Sequence, residues 1–275
     1  MISKHIFLTI VGFLSVVLAA AFLPEQSPKV AAVKNALFKK LSNEQLIIHN
    51  QVLADIKTDF NVPDDIWNEY MNAFNDAINS DDLLGASNSA AVDSNKPWII
   101  QRTRELLCEY GINPDRVAIH EVTTKGSNGE ATQDIDENNK IIHTIDINVE
   151  WFNAFSKEMQ EAFVRHEIMH LLNYDPIEGG YILFMLESIG NDLKEVAKHP
   201  TIVAYNQQRE LRADILGSCG SITTAHALCK HYTQYAQKKS EQKQTWLTHP
   251  PHEVRAEHLA HLLVDMDVQP KTVIT

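Results

Sequence analysis

Two histidines four residues apart, His166 and His170, enclose a glutamate at Glu167. In a helix, residues four apart sit one turn above each other, so both imidazoles can face a single ion. Glu167 then lies about 100° round the helix from His166, placed to hold a water as general base rather than to bind the metal. Met159, Phe163, Ile168, Leu171 and Leu172 keep helical spacing around the motif, which gives the helix a buried side. A catalytic zinc site needs a third protein ligand and one open position. Glu210 is the candidate third ligand, and Asp214, one turn on, is suited to orienting one of the imidazoles. Taken alone, that segment reads as a salt-bridged surface helix in which Arg209 and Arg212 pair with the neighbouring acids. Farther along, His249 precedes Pro250 and Pro251, and Arg255 follows. The two prolines fix the entry into a last helix over 253–266, so His249 and Arg255 are placed as donors to a developing oxyanion.

The elements that must carry these residues are mostly helical. After Pro63, Ile66, Tyr70, Phe74, Ala77 and Ile78 recur on one helical face. Ser42 and Gln45 have the form of a capping box, which predicts a helix start there. The Ser-, Asn- and Asp-rich stretch 81–95 reads as a linker. Pro97 to Tyr110 is predicted as a helix closed by Gly111 in a left-handed cap. Two β-rich runs follow, Arg116 to Val122 and Ile141 to Val149, the second with Ile141, His143, Ile145, Ile147 and Val149 on one face. The polar stretch Thr124 to Lys140 between them is expected to be a long hairpin connection. Asp134 to Asn138 resembles the start of a calcium loop, but Asn139 and Ile145 stand where glycine and glutamate are required, so a solvated loop is expected. Three helical stretches complete the pattern: Ser156 to Asn173, Tyr181 to Lys198, and a long one from Ile202 to Lys238.

Composition narrows the function classes. The 275 residues carry 24 Lys and Arg against 36 Asp and Glu, a formal charge of −12, with no long basic run. A phosphate backbone would repel such a surface, so no nucleic-acid partner is expected. Three cysteines, Cys108, Cys219 and Cys229, are too few for a four-cysteine zinc site or a disulfide-dense scaffold. Cys219 and Cys229 lie about 15 Å apart in a straight helix and can bridge only if Gly220 breaks it. His143 reads as packed or cleft-lining, and His252, His258 and His261 have no spacing that defines a second zinc site. The apolar run from Ile6 to Leu23, with small residues at Ala19 and Ala21, reads as an export signal, with an uncleaved membrane anchor as the alternative. The expected organisation is therefore 1–23 as signal or anchor, 24–95 as a helical extension and linker, and 96–275 as the catalytic domain.

The order of these motifs, HExxH, then Glu210 to Asp214, then His249-Pro-Pro with a following Arg255, resembles the gluzincin zinc metallopeptidases of the HtpX and CAAX prenyl protease type, above all their single-domain exported members. The likeness covers about residues 97–264. It implies an α+β fold: a mostly helical zincin-like domain with a small antiparallel β-sheet at the cleft edge. It also implies one Zn2+ held by His166, His170 and Glu210, with Glu167 as catalytic base, Asp214 behind a histidine, and His249 with Arg255 supporting the transition state. Two departures stand out. Arg212 replaces an acidic residue common before the Ala-Asp pair, and the polar stretch 124–140 replaces the segment usual between the strands. The expected activity is peptide hydrolysis outside the cytoplasm on peptides or unfolded proteins, with the substrate pairing as a strand beside Ile141 to Val149. An inactive zinc-binding, chaperone-like module that captures clients with its N-terminal helices is the alternative, and an intact Glu167 speaks against it.

Overall fold

The computed structural model describes residues 28–85, 95–123, 128–138, 140–238 and 248–268. The expected export signal or anchor, 1–23, lies outside them. No helix among the described residues is long and apolar enough to cross a membrane.

The chain is mostly helical with a small three-stranded mixed sheet, an α+β arrangement. Helix α1, Pro28–Asp59, runs straight through the expected start at Ser42. Phe38, Leu41, Gln45, His49, Leu53 and Ile56 form an unbroken buried stripe along it. Burial of that stripe outweighs a local cap, and the Ser42 hydroxyl is left without a hydrogen-bond partner. Helix α2, Asp64–Ser80, starts with Asp64 and Asp65 in its first turn, where their charge suits the helix dipole. Helix α3, Trp98–Glu109, ends as expected: Gly111 takes φ +73, and the Ile112 amide reaches back to the Leu107 carbonyl.

The sheet departs from expectation. Strand β1 is Val117–Glu121, β2 is Gly129–Ile135 and β3 is Ile141–Ile147, in spatial order β1-β3-β2. The polar stretch therefore contains a strand. Its Thr, Gln and Asp residues occupy an edge with one wetter face, so β2 lacks the apolar run that marks a core strand. β3 is antiparallel to β2 but parallel to β1, so the sheet is mixed, and the hairpin lies between β2 and β3. Asp136 closes that hairpin by accepting from the Asn138 and Lys140 amides, which gives the calcium-like segment a turn role. The alternation on β3 is as predicted, with Ile141, His143, Ile145 and Ile147 buried. Val149, however, opens a short helix, α4, Val149–Phe152, capped by the Asn148 side chain.

Helix α5, Lys157–Leu172, carries the HExxH motif and is capped by Ser156. Helix α6, Asp175–Ser188, begins earlier than predicted, after Tyr174 in the left-handed region at φ +55. It also ends earlier, because Gly190 at φ +92 lets the Asn191 amide close back onto the Leu186 carbonyl. Asp192 then caps a single turn, α7, Leu193–Val196. The expected long helix from Ile202 to Lys238 is two: α8, Pro200–Cys219, and α9, Ile222–Lys238. Ser221 ends the run by capping α9 through the Thr224 amide. Even with that break, all three cysteines are free. Helix α10, His252–Val268, pairs with α9 and returns against α8.

One core gathers α3, α5, the sheet, α8, α9 and α10 around Leu106, Ile145, Ile168, Ala213 and Leu259. A second joins α1 and α2 to α6 and α8 through Ile56, Val62, Ile182, Met185 and Tyr205. The N-terminal helices are thus packed on the element that carries Glu210. The segment expected as a linker is pinned at its start: Leu83 is buried, and Leu84 pairs with Ile112. Residues 86–94 lie outside the described part.

Candidate metal centre

Helices α5 and α8 cross so closely that a Cβ at their contact would crowd the opposing backbone. A Cβ on Gly217 would stand 3.0 Å from the carbonyl carbon and oxygen of Arg165 and 3.1 Å from the His166 nitrogen. This approach brings the Glu210 side of α8 over the histidine side of α5.

Among the described residues, His166, His170 and Glu210 form the one group of His, Cys, Asp or Glu side chains placed to hold a metal ion. The two imidazole Nε2 atoms are 3.1 Å apart. Glu210 brings Oε2 to 3.3 Å from Nε2 of His166 and Oε1 to 3.5 Å from Nε2 of His170. Ligands around a tetrahedral zinc, at bonds of about 2.0–2.1 Å, stand about 3.3–3.4 Å from one another. The two imidazole nitrogens and the Glu210 carboxylate, which turns one oxygen to each ring, are spaced on that scale. Glu210 Oε2 is also buried and, although the His166, His249 and Arg255 nitrogens stand 3.3, 3.3 and 3.7 Å away, it receives no well-formed hydrogen bond, which leaves it free to bind a cation.

Each histidine is held from behind. His166 Nδ1 lies 2.9 Å from Oδ1 of Asp214, as the sequence suggested. His170 Nδ1 lies 2.7 Å from Oδ2 of Asp175, a partner the sequence reading missed. Both bonds fix the ring so that Nε2 is turned to the shared point. Asp175 comes after Asn173 and Tyr174 at the end of α5, and the left-handed turn at Tyr174 folds it back toward His170. The Tyr174 hydroxyl is tied 2.8 Å from Oδ2 of Asp81, which also meets His143 Nε2 at 2.9 Å. His143, which also meets Gln133 at 3.0 Å, is therefore a packed residue and not one of the ligand group.

The arginines explain how two buried carboxylates stay ionised. Arg212 hydrogen-bonds Oδ1 of Asp175, and Arg209 Nε approaches the same oxygen at 3.6 Å. Both therefore turn to Asp175, away from the pairing with Glu210 and Asp214 that a surface helix would give. Burial opposes the charge on Asp175, but the Arg212 and Arg209 guanidiniums and His170 outweigh it and hold its carboxyl well below the usual range. Asp214 is treated alike. Arg255 donates to it twice, at 2.6 and 2.7 Å, and the Tyr232 hydroxyl adds a bond at 3.3 Å. Against burial, Arg255 and His166 keep the Asp214 carboxyl depressed. Arg255 is thus mainly a buttress for Asp214, with Nη1 3.7 Å from Glu210 Oε2.

Glu167 is set apart from this charge pairing. Its Oε2 accepts from the Ala131 amide on β2 at 2.9 Å. Burial pushes its carboxyl up, only partly countered by His166 and His170. Among the ligands, burial lowers the proton affinity of His166, but Asp214 and Glu210 overcome it and raise the ring to about 10. Glu210 itself is depressed, because the histidines outweigh its burial. These are linked facts: without a metal, the donor set retains a proton that a cation would displace. His249 sits at the mouth, 48% exposed, with Nε2 3.3 Å from Glu210 Oε2 and Nδ1 2.8 Å from the Thr248 hydroxyl. Burial lowers its pKa, so the ring tends toward the neutral form.

No protein-family model matches the chain, and neither the curated proteins nor the solved structures gave a match. The chemistry must therefore be read from the residues themselves.

Proposed function

We propose that the protein is a zinc metalloendopeptidase of zincin-like fold, similar in its site to the HtpX and CAAX prenyl protease type. The observation that carries this reading is the convergence of the ligand groups, the two imidazole Nε2 atoms 3.1 Å apart and the two Glu210 oxygens 3.3 Å from His166 and 3.5 Å from His170, with a buried carboxylate beside them that does not belong to the set. When bound there, zinc supplies Lewis acidity, which polarises a carbonyl and acidifies a water.

The chain's own residues supply the rest. Glu167, raised by burial and held by the Ala131 amide, takes the proton of the attacking water on its carboxylate and returns it to the leaving amine. His249, at the mouth, donates from Nε2 to the carbonyl oxygen as negative charge develops there. Arg255 fixes Asp214, and Arg212 fixes Asp175, so the two imidazoles keep their orientation through the cycle.

Pairing of the substrate beside Ile141–Val149 does not survive: β3 is the central strand, with both edges taken by β1 and β2. The outer edge of β2 is the alternative. The Ala131 amide points away from β3 toward Glu167, and by strand alternation Gly129 shares that outward side. An extended peptide laid along this edge would run past the base. Secretion and a role in envelope quality control belong to the same proposal and rest on the apolar N-terminal run alone.

The test compares wild type with Glu167→Gln for zinc content and for cleavage of casein. The proposal expects one zinc per chain in both and cleavage only in wild type. Cleavage unchanged in the variant refutes the assigned base, and zinc binding with no cleavage in wild type favours the client-binding alternative.

A further inference from the structure

The turn that carries Asp175 is held from the N-terminal helices. Tyr174 sits at φ +55 and ψ +30, a left-handed conformation that disfavours any residue with a Cβ. Glycine would take that backbone without the penalty, so what the position gains from tyrosine is its side chain. The hydroxyl donates to Oδ2 of Asp81 at 2.8 Å. Burial and the Asp81 carboxylate push the phenol up, which keeps the proton on its oxygen. Asp81 is the residue that closes α2, and its side chain is only 3% exposed.

Asp81 is itself fixed. His143 Nε2 meets the same oxygen at 2.9 Å. The Gln133 amide nitrogen reaches Nδ1 of His143 at 3.0 Å and donates to the Leu171 carbonyl at 3.0 Å. With Gln133 as donor, Nδ1 accepts, and the His143 proton lies on Nε2, toward Asp81. Leu171 is the neighbour of His170 on α5. One buried network therefore ties the end of α2, strands β2 and β3 and the last turn of α5. Tyr174 stands between that network and Asp175, whose Oδ2 is 2.7 Å from Nδ1 of His170.

We propose that Asp81 is a positioning residue for the metal centre: through Tyr174 it sets the turn that places Asp175, and so the ring of His170. The helical extension is then a part of the site and not a detachable arm. The consequence for zinc rests on the metal reading of His166, His170 and Glu210, while the mechanical link belongs to the metal-free protein. Deleting the extension is no test of it. His49 on α1 bridges Glu178 on α6 and Gln208 on α8, at 2.8 and 2.9 Å, and would be lost at the same time.

Point variants separate the link from general loosening. Tyr174→Phe removes the hydroxyl and keeps the ring. Asp81→Ala removes the acceptor, and Asp81→Asn restores an oxygen that can take both bonds, since both fall on Oδ2. Leu53→Ala, in the apolar packing of α1, is the control. Zinc affinity is measured by dye competition well below Tm. In the metal-free protein, Nδ1 of His170 is followed by NMR through the ring's carbon-bound protons, with Nδ1 of His166, held by Asp214, as internal reference. Tyr174→Phe and Asp81→Ala should weaken zinc binding by about 3–10-fold, the worth of one buried hydrogen bond. Both should shift His170 Nδ1 and leave His166 Nδ1 in place, and Asp81→Asn should recover most of the affinity. Leu53→Ala should lower Tm with affinity and both signals unchanged. An unmoved His170 signal in Tyr174→Phe overturns the proposal, and so does a moved signal with wild-type affinity. Equal shifts at both histidines, or an equal loss of affinity in Leu53→Ala, overturns it in favour of general loosening. Should the wild type bind no zinc, the metal reading falls and the His170 signal alone decides the link: moved supports it, unmoved overturns it.

Discussion

Replacing Gly217 by alanine should separate the metal ligands without touching one of them. The new Cβ would lie 3.0 Å from the carbonyl carbon and oxygen of Arg165 and 3.1 Å from the His166 nitrogen. These are backbone atoms inside α5, so no side chain can swing away. Ordinary contact begins near 3.4 Å, so the crossing must give by a few tenths of an ångström, and with backbone on both sides the give falls on the spacing of α8 from α5. Glu210 lies two turns earlier on α8, and both histidines lie on α5. Metal–ligand distances in zinc sites hold to within about 0.2 Å, so a shift of this size between α5 and α8 should weaken the hold of Glu210 and the histidines on one ion. Overpacking of this kind costs about 1–3 kcal/mol, or about 3–10 °C in Tm for a chain of this size. Gly180→Ala is the control, since nothing lies within 4 Å of its Cβ position. The assay is zinc affinity by competition with a chelating dye, together with Tm of the metal-free form. Affinity should drop at least tenfold in Gly217→Ala and stay at the wild-type value in Gly180→Ala. Equal affinity and equal Tm in the two variants would refute the argument that this crossing sets the ligand triangle.

Asp175→Asn should weaken zinc binding by about 10–100-fold, because the single amide oxygen cannot accept from both His170 and Arg212 and the charge behind the imidazole is lost. It should also lower Tm, since Arg212 would be left buried without its carboxylate; competition titration and thermal melts check both. Asp175 and Asp214 have depressed folded-state pKa values, so the stability they contribute is present above about pH 4 and lost as pH falls through the lowered values. His166, raised to about 10, acts oppositely in the metal-free protein. Its contribution is complete below about pH 6.5 and disappears as pH rises toward 10. Melts across pH should show this alkaline loss without zinc and no such loss with zinc bound. His249→Ala should retain zinc and lower kcat by about 100-fold or more, with little change in KM, as steady-state kinetics on a peptide would show.

The site was legible in the sequence because its contacts follow short, fixed spacings. His166 and His170 must share a helix face, and Glu210 and Asp214 must share another, whatever surrounds them. Asp175 escaped because its role depends on a left-handed Tyr174, a residue type that does not advertise that conformation. Arg212 escaped for a related reason: a positive charge near two acids on one helix looks self-paired, while its true partner lies on α6. The helix count failed where local signals were weaker than the apolar periodicity. Gly190 and Ser221 do stop α6 and start α9, but each sits in a pattern that could equally continue. Ser42 errs the other way, a good cap overruled by a buried stripe that extends along α1. Strand β2 was hidden by its polar composition, which suits an edge strand that offers its backbone to Glu167.

Metal stoichiometry by plasma mass spectrometry, run in parallel on wild type and on the His166→Ala, His170→Ala and Glu210→Ala variants after dialysis against trace zinc, tests the ligand triangle most directly. One zinc per chain in the wild type and near none in each variant is the predicted result. Full zinc occupancy in Glu210→Ala, or no retention by the wild type, would contradict a site built by α5 and α8 together.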